Sequence, residues 1–365
     1  MPTAHNDTEV FPLLADPANY VACQWDLGRD APRRDYWLGV FRGHFPTMMA
    51  EARREAEQRG VNQDATLAEA KRQFDAYLDA LTRHPDAFGR LDVIAMCWKR
   101  EELLLELGIP DPYRLVKARE NAQALKLMPA LLAELDALEG PARIARLIEG
   151  VFAGNIFDMG ALETLGMFEQ GTVDFDQVRA KLKPRPWRYD ALEDWQDFMH
   201  HCEPHRAALL FVDNAGPDIV LGMIPFARDL ARRGTDVVLA ANSEPSLNDV
   251  THTELADLLD QIAGFDPVIK EQVAAGRLRV VESGNWAPLI DLSRVSPDLA
   301  AVCNETRFSL VVLEGMGRSI ESNFEVELKA DTLWLAMLKD TGVAEALDAE
   351  VFDLVMRYRG MALDG

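Results

Sequence analysis

The chain reads as an α/β protein: a helical amino-terminal domain (residues 1–183), a connecting segment (184–206), and a Rossmann-like, doubly wound, mostly parallel sheet (207–365). Three observations predict this. Short continuous apolar runs alternate with helical periodicities after residue 206, the pattern of buried parallel strands joined by crossover helices. Apolar residues before residue 183 recur instead at spacings of three and four, with few strand signals. Between them, Lys181–Arg188 (KLKPRPWR) is basic and broken by prolines.

In the first half, Tyr36, Trp37, Val40, Phe41 and Phe45 trace one helical face, and Phe74, Tyr77, Leu78 and Leu81 another. Gly108 stops a helix ending at Leu103–Leu107, with Pro110 and Pro112 beyond it. Separate helical patterns follow over Tyr113–Leu127, Pro129–Leu138 and Ala142–Phe152. Two pieces carry more polarity than packing requires. GIPDPYRLVKAREN (Gly108–Asn121) is either part of a site or a helix start with a solvated basic face. GNIFDMGA (Gly154–Ala161) sets Asn155 and Asp158 between glycines, as supports for a site or as a capped turn.

Strands are expected at Ala207–Val212, Asp236–Ala241, Leu278–Glu282, Leu310–Leu313, Leu333–Leu338 and Val351–Met356. Helices are expected at Ile219–Arg233, Thr253–Ala263, Pro267–Ala275 and Pro297–Asn304. The loop around Trp286 (SGNWAPLIDLSRVS) is expected to pack over an edge or the site.

Composition narrows the function. The formal net charge of −22 argues against nucleic acid or an anionic membrane as partner, though not against a small anionic substrate beside local cations. No apolar run approaches the roughly 20 residues that span a bilayer, and the start, MPTAHNDTEVFPLL, lacks the pattern of a signal peptide. The four cysteines, Cys23, Cys97, Cys202 and Cys303, form no CxxC pair or disulfide framework, which suits a reducing compartment. A soluble cytoplasmic protein is expected, with no pattern that sets its oligomeric state.

The strand ends carry the chemistry. In a parallel sheet all their carboxyl ends lie on one edge, where open α/β sheets bind ligands. The first strand runs into Asp213-Asn214 and the second into Asn242-Ser243, whose loop continues to Asp249. The strand at Leu310 runs into Glu314-Gly315-Met316-Gly317-Arg318, and the next into Lys339-Asp340. Asp213, Asn214 and Asp249 are hard oxygen donors for a divalent cation, with Mn, Co, Ni and Mg all compatible. Asn242, Ser243, Glu314, Gly315, Met316, Gly317, Arg318 and Lys339 are the candidate phosphate contacts. The glycines would admit backbone N–H groups, Arg318 would fork onto phosphate oxygens, and Lys339 would act as a point charge. Together these suit hydrolysis of a phosphate ester. The plain alternatives are that Asp213 caps the following helix and that Arg318 is a surface residue paired with Glu321 or Glu325.

Competing motifs are weaker. GMGRSI is half of a dinucleotide fingerprint, and no Walker sequence or G-x-S-x-G elbow accompanies it. Asp213 is not part of an Asp-x-Asp pair, and Ala215-Gly216-Pro217 is a poor nucleoside-cofactor turn. His200, His201, Cys202 and His205 fit no closed zinc spacing.

LLFVDNAGPDIVLGMIPFARDLARRGTDVVLAANSEPSLNDVT and VVLEGMGRSIESN, with GIPDPYRLVKAREN and GNIFDMGA, resemble the metal-dependent damage-control phosphatases. Within them the chain is most similar to the subfamily marked by EGMGR, which includes the phosphatase domain of the animal pantothenate-kinase-like fusion protein. The resemblance implies metal ligands at Asp213, Asn214 and Asp249, a phosphate loop at Glu314–Arg318, and a phosphate lysine at Lys339. It implies a small phosphorylated metabolite as substrate, 4'-phosphopantetheine or its oxidised forms, with a sugar phosphate as the other substrate class. A phosphometabolite sensor without turnover is the reading outside enzymes. Glu244 and Glu321 depart from the family pattern, which would carry a smaller residue and a histidine there.

Overall fold

The computed structural model describes residues 7–156 and 175–361. The amino-terminal half holds helices α1 (Ala31–Gln58), α2 (Asp64–Arg83), α3 (Val93–Glu106), α4 (Arg114–Ala137) and α5 (Gly140–Ile156). Asp30 and Asp92 start α1 and α3 by accepting the N–H groups of Arg33 and Ala95. The apolar faces of α1 to α3 close one core around Phe41, Phe45, Phe74 and Leu78, which reaches Leu338 and Val355 of the sheet half. The two patterns expected on either side of Met128 form one helix, α4, with Pro129 inside it. Proline removes one ladder hydrogen bond, but Met128, Leu131 and Leu132 are buried around it and hold the helix together.

The sheet comprises β1 (Tyr189–Asp190), β2 (Ala207–Phe211), β3 (Asp236–Ala241), β4 (Leu278–Glu282), β5 (Leu310–Glu314), β6 (Asp331–Met337) and β7 (Leu354–Arg359). Their order is β1-β7-β6-β5-β2-β3-β4, and only β6 with β7 is antiparallel. β7 starts and ends later than expected, because Val351 and Phe352 belong to the turn: Phe352 has φ 68° and donates its N–H to Leu338 at 2.7 Å. β1 is too short to carry a sequence pattern.

β2 is buried along its whole length, as a central parallel strand covered on both faces should be. Ala208, Leu210 and Val212 face the core shared with α4 and α5, while Leu209 and Phe211 face Phe11, Leu14 and Leu299. The chain leaves β2 toward β3 and β4, then crosses back to place β5 on its other side. The carboxyl ends of β2 and β5 therefore flank the switch point of the sheet, where a crevice opens.

Both strands run into π-helical turns, Asp218–Met223 and Met316–Glu321. The expected helix Ile219–Arg233 is thus a π turn followed by an α-helix over Ile224–Arg232. Pro225, which has no N–H to donate, sits at the junction and breaks the regular ladder.

α5 lies against the first π turn at backbone distance. A Cβ on Gly154 would fall 2.9 Å from Asp218 Cα and from the Pro217 carbonyl oxygen. A Cβ on Gly150, one turn earlier, would meet only the Leu221 carbonyl oxygen at 3.5 Å. Gly154→Ala should then destabilise the fold by about 1–3 kcal/mol through overpacking. Gly150→Ala should be neutral or stabilising by up to about 1 kcal/mol, because alanine is the better helix former. Urea unfolding of the two variants checks this, and equal effects would contradict the close approach at Gly154.

Candidate active site

The end of β2 delivers Asp213 and Asn214, and the turn beyond it is held in place by α4. Asn121 accepts the Gly216 N–H at 2.6 Å, and Gly216 has φ +78° with Glu120 close against it. Lys117 is not on a solvated basic face: it is buried and paired with Asp111 at 3.0 Å and Glu254 at 2.8 Å. This turn brings Asp218 back beside Asp213. The end of β5 adds Glu314, and one carboxylate oxygen from each of Asp213, Asp218 and Glu314 lies within 4.8 Å of the others.

Amide groups lace the acids together. Asn214 Nδ2 donates to Asp213 Oδ2 and Asp218 Oδ2, each at 2.9 Å. Asn155, brought in by the Gly154 contact, donates from Nδ2 to Asp218 Oδ2 at 2.8 Å and to Glu314 Oε1 at 3.2 Å. Glu314 Oε2 accepts the backbone N–H of Asp213 at 2.9 Å. Asp158 lies outside the described residues.

Arg318 spans the other side. Its Nη1 donates to Asp213 Oδ1, and its Nη2 to Asp249 Oδ2 at 2.8 Å and Asn242 Oδ1 at 3.1 Å. Asn242 Nδ2 also donates to Asp249 Oδ2 at 2.9 Å. Arg318 is 1% exposed, so it is not a surface residue paired with Glu321 or Glu325. The guanidinium stands between Asp249 and Asp213, while Asp213 and Asn214 belong to the acidic cluster proper.

Gly315 has φ +90°, and a Cβ there would lie 2.2 Å from Asp213 Oδ2. Its N–H is committed to the Leu335 carbonyl at 3.0 Å. Its missing Cβ allows the close approach to Asp213, and in this arrangement its N–H is spent within the sheet. Gly317 packs on Pro288, Met316 Sδ accepts the Lys339 N–H at 3.2 Å, and Ser243 Oγ accepts the Gly284 N–H at 2.9 Å. His205 stacks on Phe198 at 4.5 Å, and the acidic cluster is the one metal-type grouping among the described residues.

A model of the damage-control phosphatase ARMT1-like domain matches residues 40–355. The chain belongs to this family. A damage-control phosphatase of Arabidopsis thaliana is 37% identical over 366 residues, covering 97% of this chain and 98% of that protein. Pantothenate kinase 2 of Arabidopsis thaliana is 39% identical, and the chain spans only 42% of its length. The 4'-phosphopantetheine phosphatase of Mus musculus is 34% identical, with 48% of its length covered. The solved structure of a DUF89 family protein from Pyrococcus horikoshii superposes with a TM-score of 0.61 at 16% identity, over 87% of this chain and 96% of that one, and shows a common fold.

The carboxylates of this cluster are under electrostatic stress. Burial and then the Asp213 charge push Asp218 up to about 7, against the pull of Lys339, Asn214 and Asn155. Burial, then Asp218 and Asp213, hold Glu314 well above the ordinary carboxylate range, with Arg318 and Lys339 opposing. For Arg318 burial works against the charge, but Asp249 and Asp213 outweigh it and raise its pKa. Glu321, buried nearby, is pushed up to about 8 by burial and then by Asp340 and Asp213.

A divalent cation fits these residues on two counts. The donors are all oxygens, the set that hard cations take. Asp218 Oδ1 and Asn155 Oδ1 are also buried without a hydrogen-bond partner, a costly arrangement that a coordinated ion would relieve. Asp218 escapes simple sequence reading, whereas Asn155 is one of the residues the sequence offers as a support for the site. Asp218 stands in the first turn after a strand, where an acid ordinarily serves the helix start. Asn155 reaches the site only through the α5 contact.

The sign of the pH dependence follows. Asp218 and Glu314 have folded pKa values above their unfolded ones, so the folded state binds more protons between the two. That contribution is fully present below the ordinary carboxylate range and is lost as pH rises through about 7 for Asp218. Metal-free protein should therefore melt at a lower temperature at pH 8 than at pH 6. A bound cation competes with those protons, so Mn2+ should raise Tm more at pH 8 than at pH 6. Calorimetry with and without Mn2+ at both pH values tests this, and Asp218→Asn should shrink the difference.

Proposed function

We propose that the chain is a divalent-cation-dependent phosphatase acting on a small phosphomonoester in metabolite damage control. The observation that carries this is the convergence of Asp213, Asp218 and Glu314, with two partnerless buried oxygens, beside Arg318 and Lys339 at the switch point of the sheet. Our specific substrate is 4'-phosphopantetheine or an oxidised form of it. Support comes from the family match and from relatives named as a damage-control phosphatase and a 4'-phosphopantetheine phosphatase.

Asp213, Asp218 and Glu314 would hold the cation, with the amide oxygens of Asn155 and Asn214 as neutral donors. When bound, the ion supplies a positive centre that polarises a phosphate oxygen and acidifies water. Arg318 turns part of its fork from Asp249 toward phosphate oxygens, and Lys339, half-buried and close enough to depress Asp218 and Glu314, adds a second cation. In the reaction the oxygen of water bonds to phosphorus and the ester P–O bond breaks. The proton released by the attacking water passes to a carboxylate of the site, which then returns a proton to the leaving alkoxide, so that the alcohol and inorganic phosphate depart with the carboxylate restored. Asp249, released from Arg318, is the carboxylate we assign to that transfer.

The protein lacks any helix, among the described residues, long and apolar enough to cross a membrane. Its four cysteines are free thiols, which fits the reducing cytoplasm.

A phosphate-release screen across phosphomonoesters with Mn2+, Mg2+, Co2+ and Ni2+ tests the proposal, and full turnover after chelation would overturn the cation dependence. Arg318→Lys keeps a positive charge between Asp213 and Asp249 but loses the fork. It should lower kcat/KM by roughly ten- to a few hundred-fold, the scale of one charge-assisted hydrogen bond, while the cation titration midpoint stays within a few-fold. Asp218→Asn should instead move that midpoint. A change below about twofold for Arg318→Lys would remove the guanidinium from phosphate binding.

A further inference from the structure

Helix α1 carries its core side chains, Trp37, Phe41 and Phe45, on one face. Tyr36, beside Trp37, is 37% exposed and stands off that face. Its hydroxyl reaches the turn after β6 instead, donating to Asp340 Oδ2 at 2.7 Å and accepting the Gly342 N–H at 3.3 Å. A Cβ on Gly342 would lie 2.8 Å from Tyr36 Cε1, so the turn carries a glycine where the ring rests. Asp340 Oδ1 accepts the Val343 N–H at 3.0 Å and caps the helix Thr341–Ala346.

Asp340 directly follows Lys339, and both charges act on the same site. Lys339 opposes the upward shifts of Asp218 and Glu314. Burial, then Asp340 and then Asp213 push the Glu321 carboxyl up. The backbone here is fixed independently of Tyr36. The Lys339 N–H is donated to Met316 Sδ at 3.2 Å, and the Asp340 carbonyl accepts the Ala344 N–H at 2.9 Å. What Tyr36 adds is a hold on the Asp340 carboxylate.

Beside a lysine assigned to phosphate, such a carboxylate works against binding in two ways. It competes for the ammonium as an ion pair, and it repels a phosphate dianion. Among the described residues Asp340 pairs with no cation, and its two oxygens are engaged by the Val343 N–H and the Tyr36 hydroxyl. A phenol suits this task, because it occupies a carboxylate lone pair without adding a cation that would itself draw phosphate.

We propose that Tyr36 is a positioning residue of the phosphatase: from the helical half it holds the Asp340 carboxylate away from the Lys339 ammonium, so that the lysine serves phosphate. The inference rests on the phosphatase reading of that site.

The test measures kcat and KM of the Mn2+-loaded protein for 4'-phosphopantetheine and p-nitrophenyl phosphate, together with calorimetric binding of inorganic phosphate. Tyr36→Phe should raise KM and the phosphate Kd by about three- to tenfold, the scale of one partly exposed hydrogen bond, and leave kcat within about twofold. Gly342→Ala, whose methyl meets the ring, should act in the same direction. The deciding comparison is made in an Asp340→Asn background, where the amide still caps the helix but carries no charge. There Tyr36→Phe should change KM and Kd by less than about twofold. A bond that only ties the two halves together would cost as much in that background as in the wild type, and this result would overturn the proposal. Unchanged KM and Kd in Tyr36→Phe itself would overturn it too. If neither ester is hydrolysed but phosphate binds, the phosphatase reading falls and the phosphate titrations decide the role of Tyr36. A wild type that neither hydrolyses an ester nor binds phosphate overturns both.

Discussion

Asp213, Asp218 and Glu314 converge in a space almost closed to water, and three carboxylates so placed repel one another while each loses its hydration. The fold contains this repulsion by protons, by amide donors and by charge. Asn155 and Asn214 each bridge two of the acids, and the Arg318 guanidinium sits against Asp213 from the far side. Those bonds leave oxygen lone pairs of Asp218 and Asn155 unanswered. The cluster could therefore take up a cation, and stability and any such binding would be linked through the same atoms.

Holding acids this close demands backbones that approach each other closely. Gly315 lets the β5 end pass over Asp213, Gly154 sets α5 on the π turn at Asp218, and Gly317 lies under Pro288. Each glycine is spent on a different neighbour of the site, and each fixes one side chain: Glu314, Asn155 and Arg318. The two π turns add to this, since a wider helical turn shifts the side chains that follow it relative to a regular ladder. The helical half is therefore more than a cover. Through Asn121 and Asn155 it sets the shape of the loop that carries Asp213 and Asp218, and through Lys117 it ties to Glu254 in the first turn of the helix that follows Asp249.

Much of this was legible in the residues. The apolar runs of β2, β3 and β5 were readable because strands buried on both faces exclude polar interruptions, and their polar ends stand out against them. Asp213, Asn214, Asn242, Asp249, Glu314 and Arg318 were visible for that reason, and the structure brings them into one connected network. What escaped was set by tertiary contact. Helix α4 continues through Pro129 because packing outweighs one lost bond, and the antiparallel β7 depends on a turn at Phe352 that carries no glycine to announce it. The bond from Gly315 to Leu335 is equally hidden, since a glycine in sequence does not say whether its N–H or its missing Cβ matters.

The position of Arg318 links the site at rest to the site at work. In the resting arrangement it spends its donors on Asp213, Asp249, Asn242 and the Pro288 carbonyl. Asp213 would be shared between the guanidinium and a cation held by the acids, and the guanidinium fork matches phosphate oxygens in geometry. Each ligand thus loosens what the other must displace, and the two should bind more tightly together than apart. The same movement would free Asp249 and the Pro288 carbonyl. On the proposed reading, metal and phosphate would then both be sensed through one side chain.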